Sequence, residues 1–116
     1  MQVVKLDAVK PDTTPRPLFT GPVSRQNLVA EDVGKGIRVS MINFSKGART
    51  HMHTHTNEQV LYVISGKGVA GTESEHHEIG PGSVVYIPAG ERHYHGASDG
   101  SAMSHLSIAT PGKTEM

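Results

Sequence analysis

The chain has 116 residues, 11 Lys and Arg balanced by 11 Asp and Glu, and no cysteine. That length suits one domain with one core, and the neutral balance points away from nucleic acid or an anionic membrane as the main partner. The lack of thiols excludes disulfide scaffolds, thiolate metal sites, Fe–S clusters and cysteine nucleophiles.

Residues 1–36 read as an N-terminal arm with edge-strand character, part of the same domain, because Pro11, Pro15 and Pro17 interrupt any helical period. Met1–Lys10 has no apolar signal core, and no run approaches the ~18–20 apolar residues of a membrane span, so a soluble cytoplasmic protein is expected. Strand signals begin at Gly36. Ile37–Phe44 alternates, with Ile37, Val39 and Met41 on one face and Ile42 and Phe44 on the other. Glu58–Ile64 is apolar and β-branched and stops at Ser65-Gly66-Lys67-Gly68. A short strand about Val69-Ala70-Gly71 leads to a polar hairpin tip, Thr72–His77, where His76 and His77 stand in solvent among Glu73, Glu75 and Glu78. Pro81-Gly82 is a turn before the strand Ser83–Ile87, and Pro88-Ala89-Gly90-Glu91 is a second turn. Met103–Ala109 is the last strand, ended by Pro111-Gly112. Strands at roughly ten-residue spacing, with Gly and Pro turns between them, predict an all-β sandwich or small barrel over residues 37–110, followed by a C-terminal tail, 111–116.

The chemistry is concentrated in eight histidines. In a strand, His51-Met52-His53-Thr54-His55 projects three imidazoles to one face. Gln59 follows four residues on, and His93 and His95 form a second alternating pair. Imidazole suits Zn, Cu, Fe, Ni and Mn, and three imidazoles with an amide or carboxylate oxygen make a mononuclear site. An isolated His-x-His pair is more often a solvated surface feature. What distinguishes these is the glycine and proline spacing around them.

Gly47, His53-Thr54-His55, Gln59 and Gly66 resemble the first motif of the cupin superfamily, and Gly82, Pro88-Ala89-Gly90 and His93 resemble the second. The resemblance runs from Gly47 to about Ala109 and implies a double-stranded β-helix, a jelly-roll barrel that is usually dimeric. It also implies that His53, His55, Gln59 and His93 bind one divalent transition metal per chain, drawn from Mn, Fe, Ni, Zn and Cu, with Mn favoured. Two positions depart from the family pattern. Ala97 stands where the second motif usually has Asn, and Gln59 stands where Glu is commoner. A glutamine leaves the ion its full +2 charge, which strengthens a Lewis acid and favours anionic or deprotonating oxygen ligands. Glu58, one residue off the motif, should face away by alternation. Further along, Gly47–Thr50, Gly90–Ala97, Ala102–Leu106 and Phe19–Val23 are similar to the cupin-type manganese-dependent hydroxynitrile lyases and to carboxymuconolactone-decarboxylase-like cupins. Ala109 and His51 differ from the lyases at positions within the expected pocket.

Three further histidines are candidate catalytic groups. His105 shares a face with Ser107 and Ala109, opposite Leu106 and Ile108, and is the expected general base. His95 should share the pocket face of His93. His51 either lines the pocket as an acid/base group or sits at the barrel mouth. Tyr62, Tyr86 and Met41 read as packing residues, and Arg49 and Arg92 as surface ones.

The expected function is a metal-dependent lyase or isomerase acting as a Lewis acid on a small hydroxy- or oxo-substrate. A dioxygenase using Fe or Cu with O₂, and a non-catalytic barrel binding a sugar or metabolite, are the alternatives. The apolar outer faces of Val60–Ile64 and of Leu106 and Ile108 predict a homodimer.

Overall fold

Short apolar segments separated by Gly and Pro turns cannot bury both faces alone, and in this chain they stack as two layers. The computed structural model describes all 116 residues. One turn of 3₁₀ helix, Leu6–Ala8, is followed only by strands. They are β1 (Phe19–Thr20), β2 (Val23–Val29), β3 (Arg38–Phe44), β4 (Arg49–Thr50), β5 (Thr54–His55), β6 (Gln59–Gly66), β7 (Gly68–Gly71), β8 (His76–Ile79), β9 (Val84–Ile87), β10 (Tyr94–Ala97), β11 (Met103–Ala109) and β12 (Thr114–Glu115). One antiparallel sheet has the order β1-β4-β10-β7-β8 and the other β2-β3-β11-β6-β9, with β12-β5 as a separate pair. This is the double-stranded β-helix expected above. No helix is long and apolar enough to cross a membrane.

The inward positions of the second sheet grade along the barrel axis. Phe44 on β3, Met103 on β11 and Val63 on β6 belong to the apolar core, together with Ala70, Ile79 and Ala97 from the facing sheet. Further along the same face, register pairs His105 with Ile42 and Val63, Ser107 with Ser40 and Leu61, and Ala109 with Arg38 and Gln59. One end of the barrel is thus packed hydrocarbon and the other is polar. A register shift in the β6–β11 pairing at Ser104/His105 leaves Ile64 unpaired, and that residue turns outward to solvent.

Three segments differ from the sequence expectation. β2 reads poorly as a strand because its two faces do different polar work. The Gln26 side chain donates to the carbonyls of Leu6 (3.1 Å) and Val9 (2.9 Å), fastening the arm. Asn27, one position on, instead accepts from the Ser40 hydroxyl at 3.0 Å. Residues 114–115 of the expected tail form β12 against β5. His51–His55 is not one continuous strand, since His51 and Met52 lie outside any strand, His53 pairs only in an isolated bridge to His93, and β5 begins at Thr54.

Gly66 and Gly82 both hold a positive φ, at 78° and 88°. A Cβ at Gly66 would collide with the Ala102 carbonyl, whereas one at Gly82 meets open space. Gly82→Ala should therefore cost only the left-handed backbone strain, about 1–2 kcal/mol. Gly66→Ala should cost clearly more, because β11 must move. Urea denaturation of the two variants measures the difference, and equal losses would contradict the close approach of β6 and β11.

Candidate metal centre

Two chain segments far apart in sequence are joined by reciprocal backbone hydrogen bonds, His53 N–H to the His93 carbonyl and His93 N–H to the His53 carbonyl, both 2.9 Å. The bridge sets the two rings 4.2 Å apart between centroids, with His55 at 4.8 Å from His53 and 5.1 Å from His93. One nitrogen from each of these three histidines lies within 4.8 Å of the others, a cluster able to hold a metal ion.

The hydrogen bonds say which nitrogens face inward. His53 Nδ1 donates to the His51 carbonyl at 2.7 Å, and His93 Nδ1 donates to the Glu91 carbonyl at 2.8 Å. A carbonyl only accepts, so both neutral rings carry their proton on Nδ1 and a lone pair on Nε2. His55 Nδ1 lies 2.9 Å from the Thr114 hydroxyl on β12. The Nε2 atoms of all three rings are buried and have no hydrogen-bond partner, and neither does Gln59 Oε1. Gln59 Nε2 donates to the Ser107 hydroxyl at 2.7 Å, which turns the amide oxygen the other way. Buried polar atoms are ordinarily paired, so orphaned acceptors brought together in this way fit a cation. Burial is the main cause that pushes His53 down to about 4, with the neighbouring His93 and His55 adding to it. His55 and His93 are lowered for the same first reason. At neutral pH all three rings offer neutral lone pairs, as metal ligation requires.

A cavity of about 450 Å³ opens over this cluster, lined by His53, His55, Gln59 and His95 among others. His95 is buried and pairs its Nδ1 with Nε2 of the fully buried His105 at 3.0 Å. His105 Nδ1 donates to the Leu106 carbonyl, 3.1 Å away. His105 is held at about 4 by burial, and His95 is lowered well below its ordinary value by burial and by His105. With His105 neutral and protonated on Nδ1, its Nε2 must accept from His95, leaving the His95 lone pair on Nε2. Phe44 closes the apolar side of this dyad, 5.8 Å from the His95 ring and 5.5 Å from that of His105.

The predicted site residues thus fall into three groups. His53, His55 and His93 come together, and Gln59 lines the same cavity as His53 and His55. His95 lines the cavity, and His105 lies behind it rather than on the cavity wall. His51, expected either to line the pocket or to sit at the barrel mouth, is exposed and does not line the cavity, which removes the pocket-lining expectation. The chain leaves strand geometry at residues 51–52 so that the His51 carbonyl can receive the His53 ring, and alternation no longer applies there. Glu58 is exposed and bonded to the Tyr86 hydroxyl, facing away as alternation requires. Arg49 and Arg92 form surface pairs with Asp99 and Glu73. Sequence reasoning missed Thr114, whose proximity to His55 depends on a chain reversal, and Arg25, which sits on an unrecognised strand.

Residues 40–109 match the family model Cupin_2, described as a cupin domain. The chain belongs to the cupin family. It is 36% identical over 109 residues to a protein of Granulicella tundricola named (R)-mandelonitrile lyase, covering 93% of this chain and 83% of that one. Over 71 residues it is 34% identical to an acireductone dioxygenase of Leptospira biflexa, covering 58% of this chain and only 37% of that protein. A crystal structure of a cupin-like protein from Thermotoga maritima superposes with a TM-score of 0.83 at 33% identity, over 89% of this cupin and 81% of that chain.

Burial of neutral His105 has a stability consequence. The folded value of about 4 lies below the 6.5 of a free imidazole, so between these pH values the unfolded chain binds a proton that the folded chain does not. The linked stability is complete above pH 6.5 and is lost as the pH falls through about 4, roughly 3 kcal/mol for this group. The urea midpoint of metal-free protein should fall between pH 7 and pH 4.5, and His105→Gln should flatten the fall. A midpoint independent of pH would show that His105 titrates normally.

Proposed function

We propose that this cupin is a metal-dependent lyase or isomerase acting on a small hydroxy- or oxo-substrate, with one divalent transition metal per chain held by His53, His55, Gln59 and His93. The observation that carries the reading is the convergence of four buried, unpartnered acceptors beside a cavity wall formed by His95. When bound, the ion supplies a Lewis acid that polarises a substrate hydroxyl or carbonyl oxygen. Gln59 makes the donor set neutral, which favours this chemistry over that of a dioxygenase and suits Mn(II) among the candidate ions. Similarity to a protein named (R)-mandelonitrile lyase supports the lyase branch.

His95 is the catalytic residue in this scheme. Its Nε2 lone pair takes a proton from the substrate oxygen, and the resulting imidazolium strengthens its Nδ1–H bond to His105. His105 acts as a positioning residue, fixing the His95 tautomer through its own bond to Leu106. Thr114 plays the equivalent part for His55. Phe44 and the apolar core behind the dyad exclude water from that side.

Elemental analysis of wild type, His53→Ala and Gln59→Ala tests the reading. Wild type should hold one equivalent of a transition metal that His53→Ala lacks. Thr114→Val should weaken metal affinity roughly 10–100-fold in a chelator competition, and Thr114→Ser should recover it. A wild type that stays metal-free after reconstitution would leave a metal-free binding barrel instead.

A homodimer is proposed as well. Tyr62, Ile64, Val84 and Tyr86 are 40%, 44%, 65% and 56% exposed on the outer side of β6 and β9, where Tyr62 pairs with Val84. Such a contiguous apolar face is characteristic of an interface. Gel filtration of wild type should give the dimer, and Val84→Glu the monomer. A monomeric wild type at micromolar concentration would reject it.

A further inference from the structure

Five buried side-chain polar atoms lack a hydrogen-bond partner. Four form the donor set above, and the fifth is Nε of Arg25. Arg25 lies in the middle of β2, in register with Ile42 on β3, which is itself in register with His105 on β11. Residues in register project to the same side of a sheet, so Arg25 leaves its strand on the inward face. It lines the same cavity as His53, His55, Gln59 and His95.

The other charges nearby do not satisfy it. Arg25 takes part in none of the four ion pairs of the chain. Asp12, whose backbone pairs with that of Arg25, accepts from the Thr14 N–H at 2.9 Å and from Arg16 at 3.3 Å. Glu31 also lines the cavity and pairs with neither of its arginines. Arg38, the second cation of the cavity, donates to the carbonyls of Gly34 and Ile37 and so ties down the turn before β3. Arg25 makes no such bond. Burial disfavours its charge and lowers its pKa. A half-buried cation without a partner costs stability, and the fork of a guanidinium fits a carboxylate in two parallel hydrogen bonds.

We infer that Arg25 is the anion-binding subsite of this cavity and that the substrate is a small hydroxy- or oxo-carboxylate whose carboxylate rests on the Arg25 guanidinium. The inference rests on the reading of the cavity as the substrate site and narrows its substrate class. A neutral cyanohydrin would leave this cation as it stands, unpaired. Arg25 then sets specificity through charge, while His95 works at the substrate oxygen.

The test is a calorimetric titration of metal-free protein with glycolate and with its neutral isostere glycolamide, for wild type, Arg25→Met and Arg25→Lys, repeated with manganese-loaded samples of measured metal content. Metal-free wild type should bind glycolate at least about tenfold more tightly than glycolamide. Arg25→Met should bring the two within roughly threefold, and Arg25→Lys should recover part of the preference. The thermal midpoint of Arg25→Met should equal or exceed that of wild type, because a half-buried charge is removed. An unchanged glycolate preference in Arg25→Met, no preference in wild type, or a lower melting point for Arg25→Met would each overturn the inference. Failure of wild type to load metal would count against the metal reading alone, since the metal-free titration stands by itself.

Discussion

Two backbone hydrogen bonds between His53 and His93 organise everything around them. They join the segment entering β5 to the segment entering β10, and they do so at two of the clustered histidines, so the two rings lie side by side. The same local geometry recurs on both sides, each ring folding back on the carbonyl two residues earlier, at His51 and Glu91. Backbone thereby fixes the tautomers of two donors without using a side chain. His55 and Gln59 instead meet side-chain hydroxyls, those of Thr114 and Ser107.

Much of this was legible in the sequence because it follows from period-two alternation and from glycines at turns. β11 was expected at Met103–Ala109 and is found there, with His105, Ser107 and Ala109 inward as read. Gln59 faces in and Glu58 out for the same reason. The reading failed where alternation itself breaks. His51 precedes an isolated bridge instead of lying in a strand, and its main-chain carbonyl is more useful to the site than its imidazole. β2 was hidden because Arg25 lines the polar barrel end and Asn27 is exposed, so the strand lacks an apolar stripe. Thr114 carries no local signal at all, since its partner lies 59 residues away. The order of the two central histidines, His95 in front and His105 behind, depends on which strand layer stands closer to the cavity, and neighbouring residues do not encode that.

The barrel keeps five histidines half-buried or more, and each is driven towards the neutral form by loss of water. Neutrality leaves lone pairs on the clustered rings and on His95, which the proposed ligation and the proposed proton transfer both use. The cost is a fold whose stability declines in acid. Arg25 is subject to the same desolvation with the opposite outcome, because a guanidinium keeps its charge, and the inferred carboxylate partner is what would offset it.

The pairing of β12 with β5 also bears on when the site comes into being. Strand contacts between distant parts of a chain form late, after the entropy of closing large loops has been overcome. The hydroxyl that orients His55 arrives through a contact spanning 59 residues, and the His53–His93 bridge is non-local as well. An ion held as proposed would meet its complete cluster only after these contacts have formed, unlike the metal of small zinc-dependent folds, which organises the chain itself. On the proposed reading, metal uptake then follows folding and enters through the polar end of the barrel.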